Sequence, residues 1–187
     1  MIPERLKMLN VLENIIPKVL QNLNDENSIN EWDSLVINRK KPWTYRIFTH
    51  MDGYRVCLHC FKKCEPSEAL AHPHPWPGAF LILHGSYVHT IGASPDLESE
   101  PTFFYREILR SYSMYEIVNQ KVWHSVQPLE ETYTIMVNGD PWNLPHSKVR
   151  TTHDKGLISM EPDELKSYLE KFKILLKNYL EKITLHS

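Results

Sequence analysis

The chain has no excess of charge of either sign, few cysteines and no long apolar run. Its 187 residues carry 21 lysines and arginines against 23 aspartates and glutamates, a formal net charge of −2. This balance provides no basic field for a nucleic acid, so we expect no nucleic-acid partner. The three cysteines, an odd number, fit a reducing compartment better than a disulfide framework. Because the charged start lacks the apolar core of a secretory signal and no stretch is long enough to cross a bilayer, the sequence predicts a cytoplasmic protein without a membrane partner.

The middle of the chain is rich in short β-type segments. Seven runs of β-branched and aromatic residues, separated by turn residues, span 43–48, 54–61, 79–91, 103–109, 114–118, 122–126 and 132–137. Short strands divided by turns favour an antiparallel sandwich or barrel over alternating strands and helices. A chain of this length suffices for one well-buried core. We therefore predict a single domain with an all-β core.

Both ends of the chain are predicted to be helical. Apolar residues recur every three or four positions in 4–23 and again after Pro162, which is typical of amphipathic helices. Pro17 is expected to kink or break the first helix. The apolar stripes either pack on the core or meet a second copy, so a homodimer is a possible assembly. The predicted organisation is a helix and loop in 1–30, a barrel in 43–142, and a linker with an amphipathic helix in 143–187.

Three histidines form the main functional pattern. His72 and His74 stand one residue apart, just before an apolar run, and His124 lies in a later strand-like segment. On a strand, side chains at this spacing lie on one face, roughly 6.5 to 7 Å apart. Neutral imidazole is a common ligand for divalent transition metals, so the pattern indicates a metal site. The alternative is that these histidines are surface residues of a proline-rich loop.

These residues resemble the two-motif pattern of the cupin superfamily. The resemblance covers about 43–142 and consists of His72-Pro73-His74, Gly78, a strand up to Gly85 and the later His124. It implies a double-stranded β-helix, or jelly-roll barrel, flanked here by N- and C-terminal α-helices. Cupins of this pattern take their metal ligands from His-x-His, a glutamate and one later histidine. His72, His74 and His124 match, whereas Gly78 or Ala79 stands in place of the glutamate.

A neutral three-histidine set resembles that of the thiol dioxygenases, a cupin branch. Such a set leaves open metal positions for a substrate and dioxygen. The resemblance implies a mononuclear metal-dependent enzyme, a dioxygenase-type oxidoreductase acting on a small organic substrate, with Fe(II) favoured and Zn, Ni or Mn as alternatives. The Ser-His-Tyr relay of the thiol dioxygenases has no match after His124, where the strand reads Thr132-Tyr133-Thr134-Ile135-Met136. A non-enzymatic cupin that binds a small molecule is a second hypothesis.

The strand after the histidine pair is expected to line the pocket. If the Ala79 face points inward, alternation also places Leu81 and Leu83 there as an apolar floor. Trp76 would flank the ligands as a rigid wall, and His59 would line the barrel near the metal. Four residues on predicted strands are candidates for holding a carboxylate: Arg46, Arg55, Tyr105 and Arg106.

Three further residues are candidates for catalysis. Glu116 precedes His124 by one strand and is a candidate acid, base or replacement fourth ligand. In a third hypothesis, an isomerase or epimerase, Tyr133 and His84 would do the acid–base work instead of a metal. Cys57 and Cys60 suggest a zinc site by their spacing, but on a strand they face opposite sides, so we predict that they are ordinary strand residues.

Overall fold

The computed structural model describes residues 7–95, 99, 101–142 and 157–185, and consists within them of two long helices and ten strands. The helices are α1 (Lys7–Leu23) and α2 (Pro162–Thr184). The strands are β1 (Asp33–Ile37), β2 (Thr44–Met51), β3 (Tyr54–Phe61), β4 (His72–Pro73), β5 (Gly78–His84), β6 (Ser86–Ala93), β7 (Thr102–Arg110), β8 (Met114–Ile117), β9 (Val122–Pro128) and β10 (Thr132–Asn138). Most of the predicted linker, 143–156, lies outside the described residues.

The strands form two antiparallel sheets. One has six strands in the order β1-β2-β3-β10-β5-β8, and the other has four in the order β4-β9-β6-β7. Inward side chains of the two sheets meet in shared apolar clusters, one of which joins Ile82 of the larger sheet to Tyr87 and Val126 of the smaller. The prediction of an antiparallel β core with flanking helices is confirmed. The arrangement is an antiparallel β-sandwich, in which the pairings of the described strands form two separate sheets instead of one closed barrel.

The sheets differ from the sequence prediction in two features, a turn within 79–91 and an additional edge strand. The run 79–91 is two strands, because the chain turns at Gly85, whose φ is 86°. A Cβ at Gly85 would lie 2.7 Å from Thr132 Oγ1, so both the turn and the close approach require glycine there. The edge strand β1 was missed, since its residues follow a polar loop and carry no clear alternation.

The first helix runs unbroken through Pro17, so of the two expected effects, a kink or a break, the break is wrong. A proline inside a helix costs roughly 3 kcal/mol, because it removes one hydrogen bond and crowds the preceding turn. Here the same apolar stripe is buried on both sides of Pro17, with Leu12 and Ile16 before it and Val19 after it. Burying each of these side chains contributes about 1.5 to 3 kcal/mol, which offsets the cost of the proline.

Both helices contact the outer face of the six-stranded sheet. Phe172 of α2 and Leu12 of α1 are fully buried in one core cluster with Leu58 and Ile135 of the sheet. The apolar stripes of the helices are therefore covered within the chain. Among the described residues, neither helix combines the length and the apolar character needed to cross a bilayer.

Candidate metal centre

Three histidine side chains converge at one end of the sandwich. His72 of β4 lies directly opposite His124 of β9, and His74 follows β4 in the loop before β5. The Nε2 atom of His124 lies 2.8 Å from Nε2 of His74 and 3.3 Å from Nε2 of His72. β4 is only two residues long and His74 lies just past its end, with the His72 and His74 rings 5.1 Å apart between centroids.

The hydrogen bonds around this group leave nitrogen lone pairs for a metal. His72 Nδ1 lies 3.3 Å from the carbonyl oxygen of Leu70, which can only accept, so this proton is on Nδ1 and Nε2 offers a lone pair. His124 Nδ1 lies 3.1 Å from Nε2 of His89, which can fix the ring with its Nε2 toward the other two histidines. Metal–nitrogen bonds of about 2.1 Å place two neighbouring ligand nitrogens roughly 3 Å apart, so the three histidines fit a transition metal.

The electrostatics favour the neutral form of two of these ligands. Burial holds the pKa of His74 and His124 well below the usual range, and the neighbouring imidazoles add to the effect. Within the described part of the chain, these three histidines are the group of side chains arranged to hold a metal, and no carboxylate or thiol belongs to it. The absence of a glutamate at Gly78 and Ala79 is thus not compensated by another described acidic side chain at the site.

A cavity of about 360 Å³ opens beside the histidines. Phe80 of β5 forms its wall next to the site: its ring meets His74 edge-on at 5.4 Å and stacks on Tyr115 at 4.6 Å between centroids. The Tyr87 hydroxyl donates to the Tyr115 hydroxyl at 3.0 Å. The cavity is therefore mostly apolar near the histidines, with two phenol groups as its local hydrogen-bonding element.

The predicted orientation of β5 is wrong. Ala79, Leu81 and Leu83 face the helices and belong to the core cluster that includes α1 and α2, whereas Phe80 and Ile82 face the interior of the sandwich. Side chains alternate along a strand, so an error of one position exchanges the two faces. Both faces of this strand are buried. The sequence of its apolar run therefore does not indicate which face lines the cavity.

The other predicted pocket residues divide between the cavity and the surface. His59 lines the cavity, and its Nε2 accepts a hydrogen bond of 3.0 Å from Nε of Arg46. Trp76 is half-buried but is not among the residues that line the cavity. Arg106 is exposed on β7 and does not reach it. Tyr105 is also exposed on β7, and Arg46 and Arg55 of the larger sheet are not lining residues, so none of the four predicted carboxylate-binding residues lines the cavity.

The three candidate catalytic residues lie away from the histidines. Glu116 accepts a hydrogen bond of 3.1 Å from the backbone N–H of Leu9 in the first turn of α1. Tyr133 donates its hydroxyl to Glu131 at 2.6 Å, and its ring packs against Phe172. His84 is exposed at the end of β5. Tyr133 and His84 lie 6.3 Å apart between ring centroids but neither lines the cavity, so the isomerase hypothesis finds no support at this site and stays a prediction.

The cysteines follow the strand alternation. Cys57 packs with Phe80 inside the sandwich, while Cys60 belongs to the core on the helix side. Burial raises the pKa of the Cys60 thiol to about 11. The structure thus agrees with the interpretation of these cysteines as ordinary strand residues.

Sequence analysis missed His89, which is fully buried beside His124. It also missed the phenol pair of Tyr87 and Tyr115. The sequence of β6 contains a pattern that could have indicated His89 and Tyr87: Tyr87, His89 and Ile91 occupy alternate positions and so share one face. A polar residue between two large apolar ones on a buried face indicates a partner inside the core.

No protein-family model matches the chain, and a search of the curated proteins gives no match. Solved structures that are similar in part of their fold include Fe(II) HppE, at 15% identity and a TM-score of 0.46, covering 58% of this chain and 57% of that one. Fe(II) HppE with the alternative substrate (S)-1-HPP is 12% identical, with a TM-score of 0.45, covering 57% and 55%. Hydroxypropylphosphonic acid epoxidase from S. wedmorenis is 12% identical, with a TM-score of 0.43, covering 56% and 55%. The chain spans little more than half the length of these proteins, and likeness at this level carries no conclusion about activity.

Proposed function

We propose that the protein is a metal-dependent oxidoreductase in which His72, His74 and His124 hold one divalent transition metal, with Fe(II) favoured. The observation that carries the proposal is the convergence of three histidine ring nitrogens beside a cavity of about 360 Å³. A structural metal site is normally closed by four protein ligands. Three ligands next to a cavity therefore favour a site that accepts a substrate.

Phe80, Tyr87 and Tyr115 line the cavity next to the histidines and suit it to a small organic substrate. Phe80 and Tyr115 form a stacked wall against the histidines, which excludes water from that side. The hydroxyls of Tyr87 and Tyr115 supply a hydrogen-bonding pair that can orient a substrate or pass it a proton. When bound, iron at this site would supply redox chemistry with dioxygen.

Metal content tests the first part of this proposal. Protein purified without chelator should contain about one metal ion per chain, and His72→Ala should lose most of it, because one of three ligands is removed. His84→Ala, which removes an exposed histidine outside the site, is the control and should keep the metal. Elemental analysis measures the content and also distinguishes iron from zinc, nickel and manganese. Low metal content that is the same in all three proteins would contradict the proposal.

Oxygen consumption tests the second part. The iron-loaded protein is supplied with small thiols and small hydroxy acids, and dioxygen uptake is followed with an electrode. Uptake that depends on substrate and is lost in His72→Ala is expected for an oxidoreductase. Full metal occupancy without turnover on any compound would favour the non-enzymatic binding protein instead.

A further inference from the structure

A second group of polar side chains lies inside the sandwich, outside the three-histidine group. Asn138 of β10 is 3% exposed, and neither its side-chain oxygen nor its side-chain nitrogen has a hydrogen-bond partner among the described protein atoms. The Nε atom of Arg55, on β3, is buried and has no such partner either. Because leaving buried polar atoms unsatisfied is costly, these three atoms indicate a partner that is not part of the protein.

The register of the larger sheet brings these two side chains together. Asn138 is directly opposite Arg55 in the antiparallel pair of β10 and β3, so the two side chains share one face, with Cβ atoms about 4.5 to 5.5 Å apart. That face is the interior one, because Met136 and Cys57, two residues away on the same strands, belong to an apolar cluster inside the sandwich. The amide and the guanidinium therefore face the same interior space.

The neighbours in this row of the sheet fix the two groups. On one side of Asn138 is Gly78 of β5, where a Cβ would lie 3.0 Å from Asn138 Oδ1, so the amide oxygen is close to bare backbone. On the other side, Arg55 is half-buried and its Cζ lies 4.3 Å from the centroid of the Phe48 ring. The next residue in the row, His50 of β2, is exposed. The row thus leads from the surface to the buried amide within two positions.

We propose that Arg55 and Asn138 bind a small oxyanion that carries a hydroxyl group, such as hydrogencarbonate or hydrogen phosphate. The Arg55 Nε–H and the Asn138 Nδ2 amide are donors and need accepting oxygens, whereas Asn138 Oδ1 can only accept and needs an O–H. No ion pair among the described residues includes Arg55, and its charge therefore favours an anion over a water molecule. The site does not depend on the metal centre.

The test compares anions that differ in their ability to donate. Metal-free protein, in which no metal can bind the anion, is titrated by calorimetry with hydrogencarbonate, inorganic phosphate and nitrate at constant pH and ionic strength. Nitrate has the planar shape and charge of hydrogencarbonate but no hydroxyl, so it should bind at least about tenfold more weakly. The tighter of the two hydroxylated anions identifies the source of the ligand. Absence of binding by both, or nitrate binding as tightly as they do, would overturn the proposal.

Variants locate the binding at the two side chains. Arg55→Gln removes the positive charge, and Asn138→Asp supplies a negative charge that pairs with Arg55 in place of the anion, so each should weaken the tighter anion by about tenfold or more. Arg106→Gln removes an equal charge from exposed β7 and should leave the affinity within about twofold. Circular dichroism checks the fold of each variant. Equal effects of Arg55→Gln and Arg106→Gln would contradict the proposal.

A crystal structure grown with the tighter anion shows the occupant directly. Density for the anion between the Arg55 guanidinium and the Asn138 amide is expected. A water molecule alone at this place, or an anion that is present in the crystal but shows no binding in the calorimeter, would reject the site.

Discussion

At the scale of single residues, His89 fixes the orientation and the tautomer of the His124 ring. His89 is fully buried, and its Nε2 lies 3.1 Å from Nδ1 of His124. For His124 to ligate through Nε2, its own proton must be on Nδ1 and must be donated to His89. His89 then carries its remaining proton on Nδ1, a buried atom for which the described protein atoms offer no hydrogen-bond partner. The tautomer of one ring thus sets that of the other.

Replacing His89 should weaken metal binding without removing a ligand. His89→Phe keeps a ring in the buried space but removes the acceptor, so we expect the metal dissociation constant to rise roughly 10- to 100-fold. His89→Gln, whose side-chain oxygen can accept the His124 proton, should recover part of this loss. Competition with a coloured chelator measures the affinity, and circular dichroism checks the fold. An unchanged affinity in His89→Phe would show that His124 is oriented by other groups.

At the scale of elements, strand β8 contacts both the histidine site and helix α1. β8 turns Tyr115 toward the histidines and Glu116 toward α1, where the carboxylate accepts the N–H of Leu9. The first turn of a helix has unpaired N–H groups and a partial positive charge, and the first turn of α1 as described, from Lys7, holds no acidic residue. Glu116 therefore acts as the cap of α1, a structural role.

Removing Glu116 should affect stability and leave the metal in place. Glu116→Ala is expected to destabilise the protein by about 1 kcal/mol, as for the loss of a helix cap. Its metal content should equal that of the wild type. Chemical denaturation and elemental analysis give the two quantities, and Asp140→Ala, which removes an exposed carboxylate, serves as the control for both. Loss of metal in Glu116→Ala alone would restore Glu116 as a fourth ligand.

Prediction of the elements from the sequence succeeded where the signal was local. The periodicity of 4–23 and the turn residues between β-type runs located most of the helices and strands. The orientation of β5 could not be predicted in the same way, since Ala79 and Phe80 are both apolar and both buried. Which of them meets His74 depends on how β5 pairs with β10 and β8, strands distant from it in sequence.

At the scale of the whole molecule, the sandwich buries an unusual number of histidines. His59, His74, His89 and His124 are all buried among the described residues, and burial lowers the pKa of each, that of His89 to about 4. In the unfolded chain these side chains have pKa values of about 6.5. Below that pH the unfolded state binds more protons than the folded state, so its free energy falls relative to the folded state.

The metal-free protein should therefore lose stability as the pH falls. Above about pH 7 these histidines are neutral in both states and their pKa shifts do not change the free energy of unfolding; below it each buried histidine lowers that free energy by up to about 1.4 kcal/mol per pH unit until its folded-state pKa is reached. Urea denaturation with chelator at several values between pH 7 and 5 measures this slope. His89→Phe should reduce it, whereas His84→Gln, at an exposed position, should not. A free energy of unfolding that is constant over this range would contradict the burial of neutral histidines.

The homodimer stays a prediction. The apolar stripes of the helices suggested it, but the six-stranded sheet covers their core-forming residues. The exposed apolar side chains are concentrated instead on β7, including Phe104, of which 67% is exposed, and Ile108, of which 46% is exposed. Light scattering during size-exclusion chromatography over a range of concentrations determines the assembly.

The sequence by itself determined most of the elements, the three histidines and the missing glutamate, because each of these is a matter of local spacing or of residue type. Only the tertiary structure decided that Phe80 and not Ala79 contacts the histidines, that Glu116 caps α1, and that His89 lies beside His124. These depend on the register between strands far apart in the chain and on two sheets that bury both faces of β5. Such pairings follow from the summed packing of the whole core, which no local pattern of residues records.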